Sequence, residues 1–206
     1  MAITPETRDY RTFEVRALDT GEEDKQYRVE GYAAVFDEET VLYEYDGIEY
    51  KEVIDRSAFT GAEMRDVVMN YNHGGKPVAR TKNGTLQLTV DTRGLRISAD
   101  LSGTEEGRRL YEEIRGGYLD QMSFAFTVNK QEYDRAKHLR RITGFKRVFD
   151  VAAVDIPAYD GTSIAARSWA KAEAEREHAE ADKRRNYGDA RELSDSIAKF
   201  YDADVS

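Results

Sequence analysis

Three side chains that could together hydrolyse a carbonyl bond occur in separate apolar segments, in the order His73, Ser123 and Asp150. A serine hydroxyl is a poor nucleophile until a neighbouring imidazole accepts its proton. The imidazole in turn needs a group that holds its other nitrogen in the right tautomer, and a carboxylate does this. These residue types therefore indicate acyl-transfer chemistry, provided that the fold brings the three segments together.

The histidine follows an apolar strand that we predict within residues 67–78. Gly74 and Gly75 come directly after His73, and glycines let the backbone turn sharply and leave the imidazole accessible at the edge of a sheet. Histidine is also the side chain best suited to accept and return a proton near neutral pH. The alternative interpretation is a turn histidine that only caps a strand.

The serine lies in a strand whose two faces differ in composition. Met122, Phe124 and Phe126 point to one face, whereas Ser123 and Ala125 share the other. A face of small residues beside a hydroxyl leaves room for a substrate carbonyl to approach the oxygen. The alternative is a strand serine with ordinary packing.

The aspartate lies in the apolar run 148–159, which is typical of a strand buried on both faces. An unpaired carboxylate is costly in such a place, so Asp150 should have a donor partner. An imidazole is one possible partner, and Arg147 or Arg80 is the other. Asp155, nearer the end of the strand, is more simply explained as solvated or as a turn residue.

The composition argues against several other classes of protein. The chain has 206 residues, of which 31 are Lys or Arg and 40 are Asp or Glu, so the formal net charge is -9. A field of that sign argues against nucleic-acid and anionic-membrane partners. The absence of cysteine excludes disulfides, thiol nucleophiles and thiolate metal sites, and no metal site is predicted. Since neither a secretion signal nor a run long enough to cross a bilayer is evident, we expect a soluble, intracellular protein.

Alternating apolar residues predict a mainly β, α+β fold. Residues 86–90 and 95–101 form a predicted hairpin around the turn at 91–94, and residues 121–128 and 148–156 are also strand-like. One helix is expected to start at the Asp55 cap. Another is expected to start at the Ser102 cap and to stop at residues 116–117. These elements predict a β-barrel or a strongly curved sheet with a few packed helices.

The composition changes near residue 166, which divides the chain into a predicted domain at 1–165 and a charged helical tail at 166–206. Residues 169–189 lack large aliphatic side chains and are typical of a solvated helix or a mobile linker. A short amphipathic helix then carries one apolar stripe, made of Leu193, Ile197, Phe200 and Tyr201. This stripe would dock either on its own domain or on a partner.

From about residue 27 to residue 168, the ordered set of segments resembles the prohead (capsid maturation) serine proteases of tailed bacteriophages. The segments that carry this resemblance are 52–59, the 72–74 turn, 94–95, the helix that ends at 116–117, 122–126 and 149–158. The resemblance implies an assemblin-like β-barrel flanked by helices, as in the herpesvirus maturation proteases. It also implies that Ser123 is the nucleophile, that His73 is the general base, and that the third position, commonly acidic, maps to Asp150.

This sequence departs from the family pattern at one position, because many members have glycine where Ala125 stands. No segment of the sequence matches the oxyanion donors of the family. Backbone N–H groups and a nearby arginine, either Arg80 or Arg167, are the expected ones.

The resemblance implies an endopeptidase that cleaves the scaffold protein or the scaffolding segment of the major capsid protein. It would act inside the phage procapsid in the host cytoplasm, would also cleave itself, and would need no cofactor. A homodimer is possible. The alternatives are a catalytically inactive scaffold- or capsid-binding protein of the same fold and, with support from fold analogy alone, a small β-barrel ligand binder.

Overall fold

The computed structural model describes residues 9–18, 27–155, 169–185 and 187. In this part of the chain, ten strands and two α-helices are present, so the prediction of a mainly β fold is confirmed. The strands are β1 (Asp9–Ala17), β2 (Arg28–Val35), β3 (Thr40–Tyr45), β4 (Ile48–Ile54), β5 (Val68–Tyr71), β6 (Gly74–Arg80), β7 (Leu86–Val90), β8 (Gly94–Asp100), β9 (Gln121–Asp134) and β10 (Leu139–Val154). The helices are α1 (Glu105–Arg115) and α2 (residues 169–185).

All ten strands belong to one sheet, organised around the long strand β10. The main path runs β3-β4-β10-β9-β1-β2-β8-β7. One edge of β10 pairs along its length with β9, in antiparallel register. The other edge pairs first with β4 and then with β5, both in parallel, and the β5–β6 hairpin extends from there. This arrangement brings β5, the start of β9 and the end of β10 side by side.

The predicted β-barrel is wrong for the described residues, since their sheet does not close. Closure requires the first and last strands of the path to pair, but β3 and β7 remain at opposite ends of the strand order. The free edge of β7 is short and exposes Gln87, Thr89 and Val90 to solvent. Short strands with polar residues are a usual way to end a sheet without further pairing.

The two faces of β9 differ as the alternation predicts. Met122, Phe124 and Phe126 are fully buried and join the main hydrophobic core. The rings of Phe124 and Phe126 contact the ring of Phe145, whose centroid lies 4.7 Å from that of Phe126. The opposite face of β9 carries Ser123, which is buried but lies outside that core cluster. The aromatic side therefore anchors the strand, and the side with small residues carries the candidate nucleophile.

The two predicted helix starts have different outcomes. Residues after Asp55 form turns rather than a helix, because the Asp55 carboxylate accepts hydrogen bonds from both the backbone N–H and the hydroxyl of Ser57. Such a local bond competes with helix formation. The second helix is present, but Thr104 rather than Ser102 caps it, by accepting a bond from the Gly107 N–H.

Residues 169–185 form a helix with mostly exposed side chains, as one of the two predicted alternatives has it, but one face of this helix α2 packs against the sheet. Ala170 and Ala174 are fully buried against Leu42 and Tyr50 of strands β3 and β4. Small side chains let the helix approach closely, which is why an alanine-rich segment can dock without large aliphatic residues. The predicted stripe at 193–201 lies outside the described residues.

A carboxylate of α2 holds the helix to the sheet. Glu177 accepts hydrogen bonds from the hydroxyls of Tyr50 and Tyr133, at 3.1 and 3.0 Å, and its carboxylate lies 2.9 Å from Nδ1 of His138. Burial and then the bond to Glu177 raise the pKa of Tyr50 to about 12, so this phenol stays a donor. The contact ties helix α2 to strands β4 and β9 and to His138, the residue before β10.

A buried ion pair links β4 to β10 and gives a stability prediction. The Glu52 carboxylate accepts a 2.9 Å bond from Arg140, and both side chains are almost fully buried. Replacing Glu52 with alanine leaves a buried guanidinium without this partner, so we expect the free energy of unfolding to fall by about 3–5 kcal/mol. Urea denaturation measures this change. The exposed Glu49→Ala variant is the control, with an expected cost of about 0–1 kcal/mol, and an equal cost for both variants would contradict the prediction.

Candidate active site

The turn between β5 and β6 holds the histidine in an unusual backbone conformation. Asn72 and His73 have φ angles of 48° and 56°, and Gly75 follows at 71°. Positive φ is uncommon for residues other than glycine, and such strained positions cluster at functional sites. The Asn72 side chain fixes the turn to β10, because its Oδ1 accepts a bond from the Asp155 N–H at 3.3 Å. The strained turn thus has a defined position relative to the end of β10.

His73 and Asp150 form a close pair. Nδ1 of His73 lies 2.6 Å from Oδ1 of Asp150, and the two side chains are 18% and 8% exposed. Asp150 stands between Val68 of β5 and Ala125 of β9 in the sheet, just after a shift in the β9–β10 register. Of the partners considered from the sequence, the imidazole is the one found.

Both arginines considered for Asp150 have other contacts. The Arg80 guanidinium donates two bonds to Asp66, at 2.7 and 2.8 Å. Arg147 lies over the ring of Phe149, 4.9 Å from its centroid. The sequence suggested Arg80 as an oxyanion donor, but its guanidinium is already bonded to Asp66. Arg167, the other expected donor, lies outside the described residues.

Ser123 lies on the same face of the sheet as Asp150. Ala152 of β10 pairs with Ser123 on one side and with Asn70 of β5 on the other. Directly opposed residues share a face, and so do residues two apart along a strand. Ser123, Ala152 and Asp150 therefore form one patch, in which Ser123 is 3% exposed.

Ala152 provides the space that the imidazole needs. The turn that holds His73 starts level with Ala153, since the Asn72 N–H donates to the Ala153 carbonyl at 3.0 Å. The ring must extend from this turn to Asp150, and Ala152 is the residue of β10 on that face between the two points. Its methyl group is small, and so is that of Ala125 beside Ser123. The small face predicted from the sequence thus continues onto the neighbouring strand.

Sequence reasoning missed Asn70, which stands two strands away from Ser123 in the same row. Asn70 is 7% exposed, and its Oδ1 is buried without a hydrogen-bond partner within the described residues. An unsatisfied buried acceptor is costly and unusual. The signal in the sequence was a polar amide inside the apolar run that leads to His73.

Asp155, the other acidic residue considered, has a different environment. It is exposed, and its Oδ2 accepts a 2.7 Å bond from the hydroxyl of Tyr71. This bond is the main reason that the pKa of Tyr71 is raised, and the nearby charges of Asp155 and Glu113 add to the effect. Asp155 therefore belongs to the surface beside the histidine turn.

The described part of the chain shows neither a metal-binding cluster nor a membrane-spanning helix. It contains no group of three or more His, Asp or Glu side chains placed to hold a metal ion. None of its helices has the length and apolar character needed to span a membrane.

A histidine–carboxylate pair on the same small-residue face as a strand serine is an arrangement suited to a serine hydrolase. The model of the caudovirus prohead serine protease family matches residues 11–177, and the chain belongs to this family. The resemblance predicted from the sequence is thereby confirmed, and membership implies a serine protease of capsid maturation. No curated protein and no solved structure matches the chain.

Proposed function

We propose that the protein is a serine endopeptidase that uses Ser123, His73 and Asp150 to cleave scaffold or capsid protein inside the phage procapsid. The observation that carries this proposal is the 2.6 Å contact between His73 and Asp150 on the sheet face of Ser123, in a member of a protease family. Family membership alone supports the class of reaction. The contact supports the assignment of roles to particular residues.

The proposed reaction has two stages. In the first, the Ser123 oxygen attacks the carbonyl carbon of the scissile bond while Nε2 of His73 takes the hydroxyl proton. The tetrahedral intermediate then loses the amine, which receives that proton from His73. In the second stage, water attacks the acyl-enzyme with His73 again as the base, releasing the carboxylate product and restoring the serine. Asp150 holds Nδ1 of His73 throughout, so that Nε2 faces the nucleophile.

The biological context is proposed from the family. The substrates are the scaffold protein or the scaffolding segment of the major capsid protein, and the enzyme also cleaves itself. It acts in the procapsid within the host cytoplasm as a possible homodimer. Its fold is related to that of herpesvirus assemblin, with backbone N–H groups as oxyanion donors.

Co-expression with the scaffold and major capsid proteins of the same phage tests this function. We expect new, shorter fragments of one or both proteins, with cleavage at defined positions that mass spectrometry of the fragment ends identifies. Treatment with a fluorophosphonate, which acylates activated serines, should label the peptide that contains Ser123. Intact substrates together with unlabelled Ser123 would contradict the proposal.

The alternative is an inactive scaffold- or capsid-binding protein of the same fold. It predicts that the protein co-purifies with procapsids while both substrates stay intact. The 2.6 Å pairing of His73 with Asp150 on the sheet face of Ser123 favours the enzyme.

A further inference from the structure

Two side-chain oxygens on the Ser123 face of the sheet are buried and have no hydrogen-bond partner within the described residues. They are Oδ1 of Asn70 and Oγ1 of Thr127, and the two residues are 7% and 6% exposed. A buried acceptor without a donor costs free energy, so each such atom calls for an explanation. Their positions relative to Ser123 separate the two cases.

Asn70 stands in the row of Ser123, whereas Thr127 stands farther along the strand. Ala152 pairs with Asn70 on one side and with Ser123 on the other. The spacing of neighbouring strands therefore puts the Cα atoms of Asn70 and Ser123 about 10 Å apart. Thr127 follows Ser123 by four residues of β9, which is about 13 Å along the strand. Of the two, Asn70 is the one that shares the row of the candidate nucleophile.

The space between Asn70 and Ser123 has the size of a small bound molecule. Ala152, which lies between them, contributes only a methyl group. The two side-chain oxygens are separated by about 4 Å when both side chains lean along the row and by about 10 Å when both stand upright. A water that is hydrogen-bonded to Oδ1 and in contact with the carbonyl carbon of a Ser123 ester spans about 7 Å. One water therefore fits between Asn70 and an acylated Ser123.

His73 approaches this row from the same side as Asn70. The histidine follows Asn70 by three residues, and its ring extends from the turn to Asp150 on the face of Ala152. Hydrolysis of an acyl-enzyme requires a water beside Nε2 of this ring, because the ring takes one of the two protons of the water. On this side of Ser123, Oδ1 of Asn70 is an acceptor for the other proton.

We propose that Asn70 is a catalytic residue of the second stage of the reaction, in which its Oδ1 holds the water that hydrolyses the acyl-enzyme. The water donates one hydrogen bond to Oδ1 and the other to Nε2 of His73, so a lone pair of its oxygen points at the acyl carbon. A carbon–oxygen bond forms as His73 takes the proton. The bond to the Ser123 oxygen then breaks, and that oxygen receives the proton from His73. This inference rests on the proposed endopeptidase function and assigns a further residue to its site.

The proposed role accounts for the unpaired state of Oδ1 in the folded protein. The donors of the first stage are directed elsewhere, since the Ser123 hydroxyl gives its proton to Nε2 and the Nδ1–H group of His73 bonds to Asp150. The water takes its place after the amine has left, so Oδ1 gains a donor at the step that it serves. An unsatisfied acceptor lowers stability, and such a cost is typical of groups that are preorganised for a reaction.

The chromogenic ester p-nitrophenyl acetate separates the two stages, because acylation of the serine releases p-nitrophenolate and deacylation releases acetate. Its acetyl group is small, which suits a serine that is 3% exposed. We expect the wild type to release a burst of p-nitrophenolate and then to turn over more slowly. Asn70→Leu has a side chain of similar size without an acceptor. It should keep the burst rate and lower the deacylation rate about tenfold, as expected for the loss of one hydrogen bond.

Intact-protein mass spectrometry follows the acetyl group on the enzyme, and two variants serve as controls. Thr127→Val removes the other unpartnered oxygen of the same face and should leave both rates unchanged. Asn70→Asp keeps an acceptor oxygen and should deacylate at close to the wild-type rate. Because Oδ1 has no partner in the described part of the chain, Asn70→Leu should not lower the midpoint of urea unfolding.

The outcomes distinguish this inference from the proposed function. A wild type that gives neither a burst nor an acetyl-enzyme at Ser123 would contradict the protease function, and the inference with it. When the wild type gives both, three results would overturn the role of Asn70 and leave the protease function intact. They are an unchanged deacylation rate in Asn70→Leu, an equal loss of both rates in that variant, and equally slow deacylation in Asn70→Asp.

Discussion

Replacing Ser123 with alanine is expected to abolish cleavage of the co-expressed scaffold and capsid proteins while the protein stays folded. Loss of a catalytic serine costs about 10⁶-fold in kcat in well-studied serine proteases. The substitution removes one oxygen atom from a buried strand position and leaves the aromatic core side of β9 unchanged. Unfolding midpoints should therefore stay close to those of the wild type, and fragment formation is the readout.

A matched serine provides the control for this prediction. Ser98→Ala also removes a hydroxyl from a partly buried strand residue, in β8, far along the sheet path from β9. We expect it to retain full cleavage activity. Cleavage by Ser123→Ala at the wild-type rate would show that another residue is the nucleophile.

The absence of cysteine allows a direct test of the environment around the nucleophile. In a chain with no cysteine, Ser123→Cys introduces a single thiol. A thiol next to an imidazole ionises more readily, so a small thiosulfonate reagent should modify it faster at mildly acidic pH than it modifies the same cysteine in the double variant that also carries His73→Ala. Because both proteins carry the thiol at residue 123, its burial is the same in the two measurements. Equal rates in both single-cysteine proteins would argue against an imidazole beside residue 123.

Local patterns were sufficient to predict one hairpin of the fold and the need of Asp150 for a donor partner. The β7–β8 hairpin follows from alternation and from Asp91, whose carboxylate accepts bonds from the N–H groups of Arg93 and Gly94 in the turn. The carboxylate at Asp150 required a donor because its strand is buried, and the His73 ring lies there. Such predictions depend on a side chain and its near neighbours in sequence.

Long-range pairing was beyond prediction from one sequence. Strand β9 extends to Asp134, and strand β10 begins at Leu139. Residues 129–132 of β9 are nevertheless all exposed and show no alternation of buried and exposed side chains. The parallel pairing of β5 with β10, which sets Asn70, Ala152 and Ser123 in one row, joins segments that are about 80 residues apart. Nothing in either segment alone specifies that register.

The docking of α2 illustrates the same limit. Glu177 has the appearance of a solvated helix residue, but its partners Tyr50 and Tyr133 lie 127 and 44 residues earlier in the chain. Because the donors come from two different strands, only the assembled sheet makes this carboxylate a structural contact. The family match ends at residue 177, so it includes this part of the helix and extends past the boundary predicted at 165.

Asparagine in place of Asp150 is expected to give a folded protein with kcat lowered about 10⁴-fold, as when the corresponding carboxylate of a serine protease triad is replaced by an amide. An aspartate at this position accepts a hydrogen bond from the Nδ1–H group and leaves Nε2 free to act as a base. An asparagine amide can instead donate to Nδ1, which stabilises the tautomer whose Nε2 already carries a proton. Such a histidine cannot accept the serine proton.

Separate kcat and KM values on a cleaved peptide distinguish this role from a structural one. Asp150→Asn keeps the size of the side chain beneath the imidazole, so KM should change little while kcat falls. Asp120→Asn is the control, because Asp120 is exposed and lies two residues before Met122, which pairs with Ala153 of β10. This variant should keep the wild-type kcat and KM. Asp155→Asn should leave kcat close to the wild-type value, since Asp155 is exposed and its carboxylate accepts a bond from the hydroxyl of Tyr71. Full activity in Asp150→Asn together with a collapse of kcat in Asp155→Asn would assign the orienting role to Asp155 instead.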